Sequence, residues 1–454
     1  MRKYIKQIGI IMSAVLIAVG FLNLDNIASA VVPGVNQRVS LRSTGAQATL
    51  GSGQPFISAN GKMVAFMSSA SNIMPTGGAG IFARNLETGT IVRVSASTAG
   101  VVSNNTNYEN VQKISATGRY IVFRSQASNL IDGRTISTTA DQLYLRDTAT
   151  STTALVTQSL SGTMSNGTFN EAIGVSSDGR FVAFTSNASN LHPDSTNGSH
   201  HLYMLDRADA SLSILDRKVD GTVGTTTPDW PPRGSMSCDG SLIAFQYPGA
   251  GGGNGLIAGD TTSRTSVYLL DRRGVSDKFT NLNLTGNYGA SVPTISCNGD
   301  YVGFMTESTN LDPTVSVTYG YKIFRPYIYD RVNDTYHLGP ISTSNASTNT
   351  AVCGAFANAA FPCIQLSDTG LGVFAATDSG LTGNSGAHIY IRDIHSGTTQ
   401  LASKNSSGIA GDGNSGIPYI TANGTTVVYS STATNLVAGD TNNAIDVFTS
   451  LTGY

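Results

Sequence analysis

The chain has 454 residues, of which 40% are hydrophobic and only 12% charged, about half the usual charged share. Its 50 glycines and scarcity of charge argue against a helical protein, and the apolar content excludes a disordered one. With 27 Lys and Arg against 29 Asp and Glu the net charge is −2, so the basic excess that phosphate neutralisation demands is missing and no nucleic-acid partner is expected.

At the N-terminus, Arg2, Lys3 and Lys6 precede an apolar run from Ile8 to Leu22, and Ala28-Ser29-Ala30 follows. A basic start, an apolar stretch too short to span a bilayer and a small-residue cleavage pattern read as a secretory signal over residues 1–30. No cysteine lies near that cleavage region, so no lipid anchor is expected. The chain from 31 to 454 is then one exported domain with a net charge of −4 and no further segment apolar enough to cross a membrane. The expected location is secreted or periplasmic.

One line then returns seven times. It is Ile57-Ser58-Ala59-Asn60-Gly61…Phe66, Ile114-Ser115-Ala116-Thr117-Gly118…Phe123 and Val175-Ser176-Ser177-Asp178-Gly179…Phe184. It recurs as Met236-Ser237-Cys238-Asp239-Gly240…Phe245, Ile295-Ser296-Cys297-Asn298-Gly299…Phe304, Leu366-Ser367-Asp368-Thr369-Gly370…Phe374 and Ile420-Thr421-Ala422-Asn423-Gly424…Tyr429. The glycines recur with a mean period of about 60 residues, which makes the chain one repeat array rather than several unrelated domains.

Each repeat reads as four strands. A short apolar strand ends at the Asp/Asn-Gly turn, whose residues suit a tight hairpin. A second strand such as Tyr120-Ile121-Val122-Phe123 is apolar throughout, as when both faces are covered. A Ser-Asn-Leu element often follows, as at Ser128-Asn129-Leu130 and Ser189-Asn190-Leu191. The third strand is Leu143–Asp147 and its counterparts Leu202–Arg207, Val267–Arg272, Tyr327–Arg331 and Ile389–Asp393; the fourth is rich in Thr and Val, as in Ile91–Ser95.

Such a sheet cannot stand alone, so neighbours must cover both of its faces. The predicted fold class is therefore all-β: a seven-bladed β-propeller of four-stranded antiparallel blades. The last repeat stops just past its third strand at Thr452-Gly453-Tyr454, while Gln37-Arg38-Val39-Ser40-Leu41 is an orphan strand. The ring is expected to close by that N-terminal strand joining the last blade.

The line Ser-x-Asp-Gly-Arg-x-Val-Ala-Phe-x-Ser, as at 176–186, with a later Tyr-x-x-Asp-Arg strand, resembles the TolB-like propeller repeat, a relative of WD-repeat blades. The resemblance spans about residues 35–454 and implies a propeller that acts as a periplasmic or secreted protein-binding platform, as an accessory domain of a peptidase, or occasionally as an enzyme. The Pro usual before Asp-Gly is replaced here by residues such as Ser177, Cys238 and Cys297.

Alternating strands put two loop classes on opposite faces. The first-to-second and third-to-fourth turns are short, whereas residues 126–141, 187–201, 246–266, 305–325 and 430–444, and the blade connections 221–234, 281–293 and 343–364, are long. Long loops on a rigid scaffold carry function, so the loop-rich face is the expected binding face.

Candidate residues follow in chain order. His200 and His201 lie in a long loop, as a binding pair or as surface residues. Trp230, within Pro228-Asp229-Trp230-Pro231-Pro232, either stacks on a sugar or partner or staples its loop. Four cysteines in an exported chain suggest disulfides: Cys353 with Cys363 in one loop, and Cys238 with Cys297 at equivalent turns of adjacent blades. Asp368-Thr369-Gly370 is a turn rather than a protease triplet, since it occupies the repeated turn position and has no second copy. Asp440, Asn442 and Asp446 offer oxygens loosely spaced like a structural calcium loop, but without its central Gly and distal Glu, so an Asx-turn tying the loop to strand three is the favoured reading; no other cofactor is expected.

No nucleophile elbow and no zinc-hydrolase helix motif is present. A non-catalytic, monomeric platform for protein or cell-surface glycan is the expected function. The alternative is a carbohydrate-active enzyme, glycosidase or lyase, with its site at the channel mouth.

Overall fold

The structure is a computed structural model that describes residues 35–105, 110–136, 140–195, 198–224, 232–249, 256–258, 260, 264–274, 276–312, 325–339, 364–377, 381 and 386–454. The expected signal segment 1–30, Trp230, and the Cys353 and Cys363 pair all lie outside the described residues.

Strand β1 (Asn36–Arg38) precedes the first blade. Blade 1 is β2 (Ser52–Ile57), β3 (Met63–Ser68), β4 (Gly80–Asn85) and β5 (Ile91–Arg93); blade 2 is β6 (Asn110–Ile114), β7 (Tyr120–Ser125), β8 (Gln142–Asp147) and β9 (Thr152–Leu155). Blade 3 is β10 (Asn170–Val175), β11 (Phe181–Ser186), β12 (His201–Asp206) and β13 (Ser211–Ile214); blade 4 is β14 (Gly234–Met236), β15 (Leu242–Tyr247), β16 (Ser266–Asp271) and β17 (Lys278–Asn281). Blade 5 is β18 (Ala290–Ile295), β19 (Tyr301–Thr306), β20 (Arg325–Asp330) and β21 (Thr335–Leu338); blade 6 is β22 (Ile364–Leu366), β23 (Leu371–Ala376), β24 (His388–Asp393) and β25 (Thr399–Leu401). Blade 7 holds β26 (Ser415–Ile420), β27 (Thr426–Ser431) and β28 (Asp446–Leu451).

Every sheet has four strands in simple antiparallel order, and the last is completed by β1, giving the order β1-β28-β27-β26. Asn36 pairs with Ser450, Gln37 with Thr449 and Arg38 with Phe448, and the Val39 amide donates to Val447 beyond the strand. The fold is a seven-bladed β-propeller whose ring is closed by the N-terminal strand, as the repeat arithmetic predicts.

The repeated Phe has a single structural use. On β7 and β8 Phe123 lies opposite Tyr144, their ring centroids 5.4 Å apart, and Phe184 meets Tyr203 in the same way at 5.2 Å. The other five blades carry the same cross-strand pair as Phe66–Phe82, Phe245–Tyr268, Phe304–Tyr327, Phe374–Tyr390 and Tyr429–Phe448. These pairs are buried between sheets, where aromatic cross-strand pairs add packing beyond their area. The larger core clusters span neighbouring blades: Val122 and Leu145 of blade 2 pack with Val182 and Phe184 of blade 3, and Val428 and Val447 of blade 7 pack with Val64 and Phe66 of blade 1.

The turns explain the repeated Ser and Gly. Ser176 accepts the Phe181 amide and donates to Asp178, whose carboxylate accepts the Arg180 amide, so the polar groups of the hairpin are satisfied locally. Gly179 has φ +73°, and a Cβ there would lie 2.5 Å from the Tyr120 ring of the preceding blade. Glycine is thus required both for left-handed backbone and for blade contact.

Ser-Asn-Leu ties the two classes of long loop together. Asn129 donates to the Val102 carbonyl and accepts the Asn104 amide; Asn190, Asn310 and Asn435 do the same with Met164 and Asn166, Thr285 and Asn287, and Ala410 and Asp412. The loop-rich face is therefore braced at its base. The long connections leave on that face and the hairpins of four to six residues leave on the other, so the two sides of the disc are unequal.

Candidate functional site

The inner strands β2, β6, β10, β14, β18, β22 and β26 surround the central channel. Their final residues, Ile57, Ile114, Val175, Met236, Ile295, Leu366 and Ile420, form an apolar ring near the hairpin end. Below it sits a ring of small turn residues. Ala59, Ala116, Cys238, Cys297 and Ala422 line the channel there, and backbone bonds run from blade to blade: Ser177 N–H to Cys238 (2.7 Å), Cys238 to Cys297 (2.8 Å), Asp368 to Ala422 (2.7 Å) and Ala422 to Ala59 (2.9 Å). Cys238 and Cys297 are disulfide-bonded with Cα atoms 4.7 Å apart, which confirms that expected pair and staples blade 4 to blade 5.

One step up from the apolar ring, the seven equivalent positions diverge: Phe56, Lys113, Gly174, Ser235, Thr294, Gln365 and Tyr419. Five of the seven inner strands shift register just before this position. In three of them the shift is a residue at positive φ followed by proline: Gln54-Pro55 (φ +51°), Val292-Pro293 (+51°) and Ile417-Pro418 (+54°). Proline cannot donate to the ladder and is confined to such bulges, while a β-branched Val or Ile in left-handed backbone costs on the order of 1–3 kcal/mol. Bulges re-aim side chains and gather at functional sites.

These rings enclose a cavity of about 120 Å³ at the hairpin end of the channel, lined among others by Lys113, Ser235, Gln365 and Tyr419. Lys113 donates from Nζ to the Gly234 carbonyl at 3.3 Å. Burial pushes its ammonium down to about 8, with Glu171 pulling the other way. Tyr419 packs on Phe56 in a tilted arrangement with ring centroids 4.2 Å apart, and burial pushes its phenol up.

Toward the loop-rich end lies a set of charges. Glu171 is the second residue of β10, Arg124 stands near the end of β7, and Asp141 and Arg233 immediately precede β8 and β14. Arg233 Nε is 3.7 Å from Glu171 Oε2, and Arg124 Nε is 3.3 Å from Asp141 Oδ2. All four side chains are partly buried. Burial pushes the Glu171 carboxyl up, and Arg233, Lys113 and Arg124 pull it back. Two cations and two carboxylates from blades 2, 3 and 4 thus share one wall, an arrangement that can orient an ionic or strongly polar ligand.

The residues singled out from sequence are placed differently. His201 is the first residue of β12 rather than a loop residue; it is fully buried, with Nδ1 3.2 Å from Asp216 Oδ2, and Asp216 also accepts the Leu202 amide. His200 is 3% exposed and meets the Phe169 ring edge-on at 4.9 Å. The expectation of an accessible histidine pair is therefore corrected: both side chains serve packing.

Asp440, Asn442 and Asp446 do converge, but around a cation the protein supplies itself. Arg38 reaches Asp440 at 3.1 Å and Asp446 at 3.4 Å, and Gln47 donates to both carboxylates. Ser40 donates to Asp446 at 2.6 Å, and Asn442 turns its amide nitrogen to Asp446. With the guanidinium there, the residues do not fit a calcium ion and instead fasten β1 to β28. Among the described residues no group of three His, Cys, Asp or Glu side chains could hold a metal. Asp368-Thr369-Gly370 is the expected turn, with Gly370 at φ +78°.

Sequence reasoning missed the channel residues. The signal for Lys113 is a lone cation in Asn-Val-Gln-Lys-Ile, one residue before the repeated line, where the other blades carry uncharged residues.

No family model and no curated protein matches the sequence. Among solved structures, the β-propeller domain of the Trilobed protease from Pyrococcus furiosus is similar at 11% identity, with a TM-score of 0.50 over 90% of this chain and 95% of that one. An oligogalacturonate lyase from Vibrio parahaemolyticus is similar at 13% identity and TM-score 0.50 over 92% and 93%. TolB from Acinetobacter baumannii shows 14% identity and TM-score 0.40 over 75% of this chain, which spans only 63% of TolB. The two likenesses at TM-score 0.50 agree with the β-propeller fold that the seven sheets define, and show nothing finer. The Pyrococcus domain is described as having an open velcro topology, whereas here β1 closes the ring.

Proposed function

We propose that the chain is an exported, monomeric, TolB-like β-propeller that binds protein or glycan through its loop-rich face without catalysing a reaction. The observation that supports this most is the channel-mouth set of Arg124, Asp141, Glu171 and Arg233, partly exposed on a wall that the Asn-braced loops hold rigid. Its charges are already paired, which suits recognition of polar groups more than proton transfer. Export is supported by the Cys238–Cys297 disulfide, since such bonds persist in oxidising compartments, and by the N-terminal signal pattern.

The second reading, a glycosidase or lyase at the channel mouth, draws on one observation: Glu171 is pushed up by burial beside Lys113, the kind of perturbation that acid–base sites use. Titration of the purified chain against arrayed glycans and envelope protein extracts, with Arg233→Ala and Glu171→Gln alongside, separates the two. The binding reading predicts retention of a ligand unchanged, weakened by both variants. Release of reducing ends or unsaturated sugar from an acidic polysaccharide, abolished by Glu171→Gln, would replace it with the enzyme.

A further inference from the structure

The cavity at the hairpin end of the channel has a chemistry that the loop-rich face does not use. Lys113 is the one charged residue in its lining; no Asp, Glu, Arg or His lines it. Among the described residues the Lys113 ammonium makes one hydrogen bond, to the Gly234 carbonyl, and no ion pair with a carboxylate at bonding distance. An ammonium has three donors, so two face whatever enters. Glu171, whose charge Lys113 feels, is engaged with Arg233.

Three more polar side chains reach the same space from other blades: Ser235 from blade 4, Gln365 from blade 6 and Tyr419 from blade 7. None of the three side chains hydrogen-bonds to another described residue. Half-buried donors without acceptors are costly unless something satisfies them. The left-handed Ile417-Pro418 bulge immediately precedes Tyr419, so local strain is spent next to one of these donors. Around them the wall is the apolar ring, and the space is about 120 Å³.

We propose that this cavity binds a carboxylate carried on a short apolar body, paired with the Lys113 ammonium and hydrogen-bonded by Ser235, Gln365 and Tyr419. A single lysine matches a monoanion better than a phosphate dianion, and a neutral ligand would leave the ammonium uncompensated. The volume admits a carboxylate with two or three carbons, which is either a free small acid or the last residue of a chain ending in a free carboxyl group. The site lies at the hairpin end of the channel and is independent of the loop-rich-face reading, because its probes are neither folded proteins nor glycans.

The test is calorimetric titration of the full chain with sodium propionate, with propionamide, and with a tetrapeptide ending in alanine as free acid and as amide. Binding of propionate or the free-acid peptide, with the amides silent, is the expected result. Lys113→Met lowers the affinity at least about ten-fold, and Gln365→Leu weakens it less, both with unchanged far-ultraviolet dichroism. Tighter binding of propionate identifies a free small acid, and tighter binding of the peptide identifies a chain terminus; either supports the site. Absence of saturation by both carboxylates at millimolar concentration, equal binding of the amides, or full affinity in folded Lys113→Met overturns it.

Discussion

Gly179 shows how much one position can carry. Its φ of +73° and the Tyr120 ring 2.5 Å from a built Cβ leave no room for a side chain, so Gly179→Ala is expected to cost about 2 kcal/mol or more in chemical denaturation. Gly198, at φ +69° with open space around it, is the matched control and should lose less. Lys113 gives a pH signature of its own. Its folded value lies near 8 against an ordinary 10.5, so folding disfavours the charged form and stability rises as pH climbs from about 8 toward 10; Lys113→Met removes that rise. Carboxylate binding moves oppositely and falls as pH passes through about 8. Asp147 is held down to about 2 by Arg119 and by backbone amides, so its contribution is complete above about pH 4 and fades as pH falls toward 2. Arg119 is about half exposed, so solvent screens the pair, and Arg119→Ala should flatten the acid limb of the stability curve only slightly.

At the scale of strands and turns, the sequence is legible wherever one physical demand repeats. The Ser/Thr-x-x-Gly turn is visible seven times because a hairpin at an inter-blade contact needs both its own hydrogen bonds and a glycine. Val-x-Phe is visible because each second strand is covered on both faces. Phe184→Ala, which opens a hole between blades 2 and 3, is expected to cost about 3–5 kcal/mol. The third strands were harder to delimit. All but that of blade 1 begin with a buried polar residue, such as Gln142, His201, Ser266 or His388. A hydropathy pattern starts the strand one residue late for that reason and leaves His201 in a loop. The cavity was hidden for a related cause: bulges at Gln54, Val292 and Ile417 shift the alternation just where side chains meet the channel. Cys238–Cys297 closes a loop of 59 residues across two blades, and its removal by paired serine substitution is expected to cost about 4 kcal/mol in the chain-entropy account. Comparing denaturation midpoints of the two forms checks this.

For the whole molecule, closure decides everything else, because each blade is stable only between two neighbours. The closing blade is fastened three ways: the β1–β28 ladder, the Arg38 pair with Asp440 and Asp446, and the bond from Tyr429 to Asn36 at 2.7 Å. Arg38 also lies over the Phe448 ring. The orphan strand and the short last repeat made this readable before any coordinates, whereas the acidic loop that resembled a calcium site was misread because its cation, Arg38, lies some 400 residues away in sequence. Removing that guanidinium leaves two buried carboxylates facing each other, so Arg38→Ala should loosen blade 7 first. The most direct measurement is site-resolved amide hydrogen exchange of the full chain at Asn36–Val39, compared with Val427 and Val428 of β27. The closed ring predicts that the Val39 amide exchanges as slowly as those central-strand amides. Exchange at 36–39 as fast as in unstructured peptide, with β27 still protected, would contradict it.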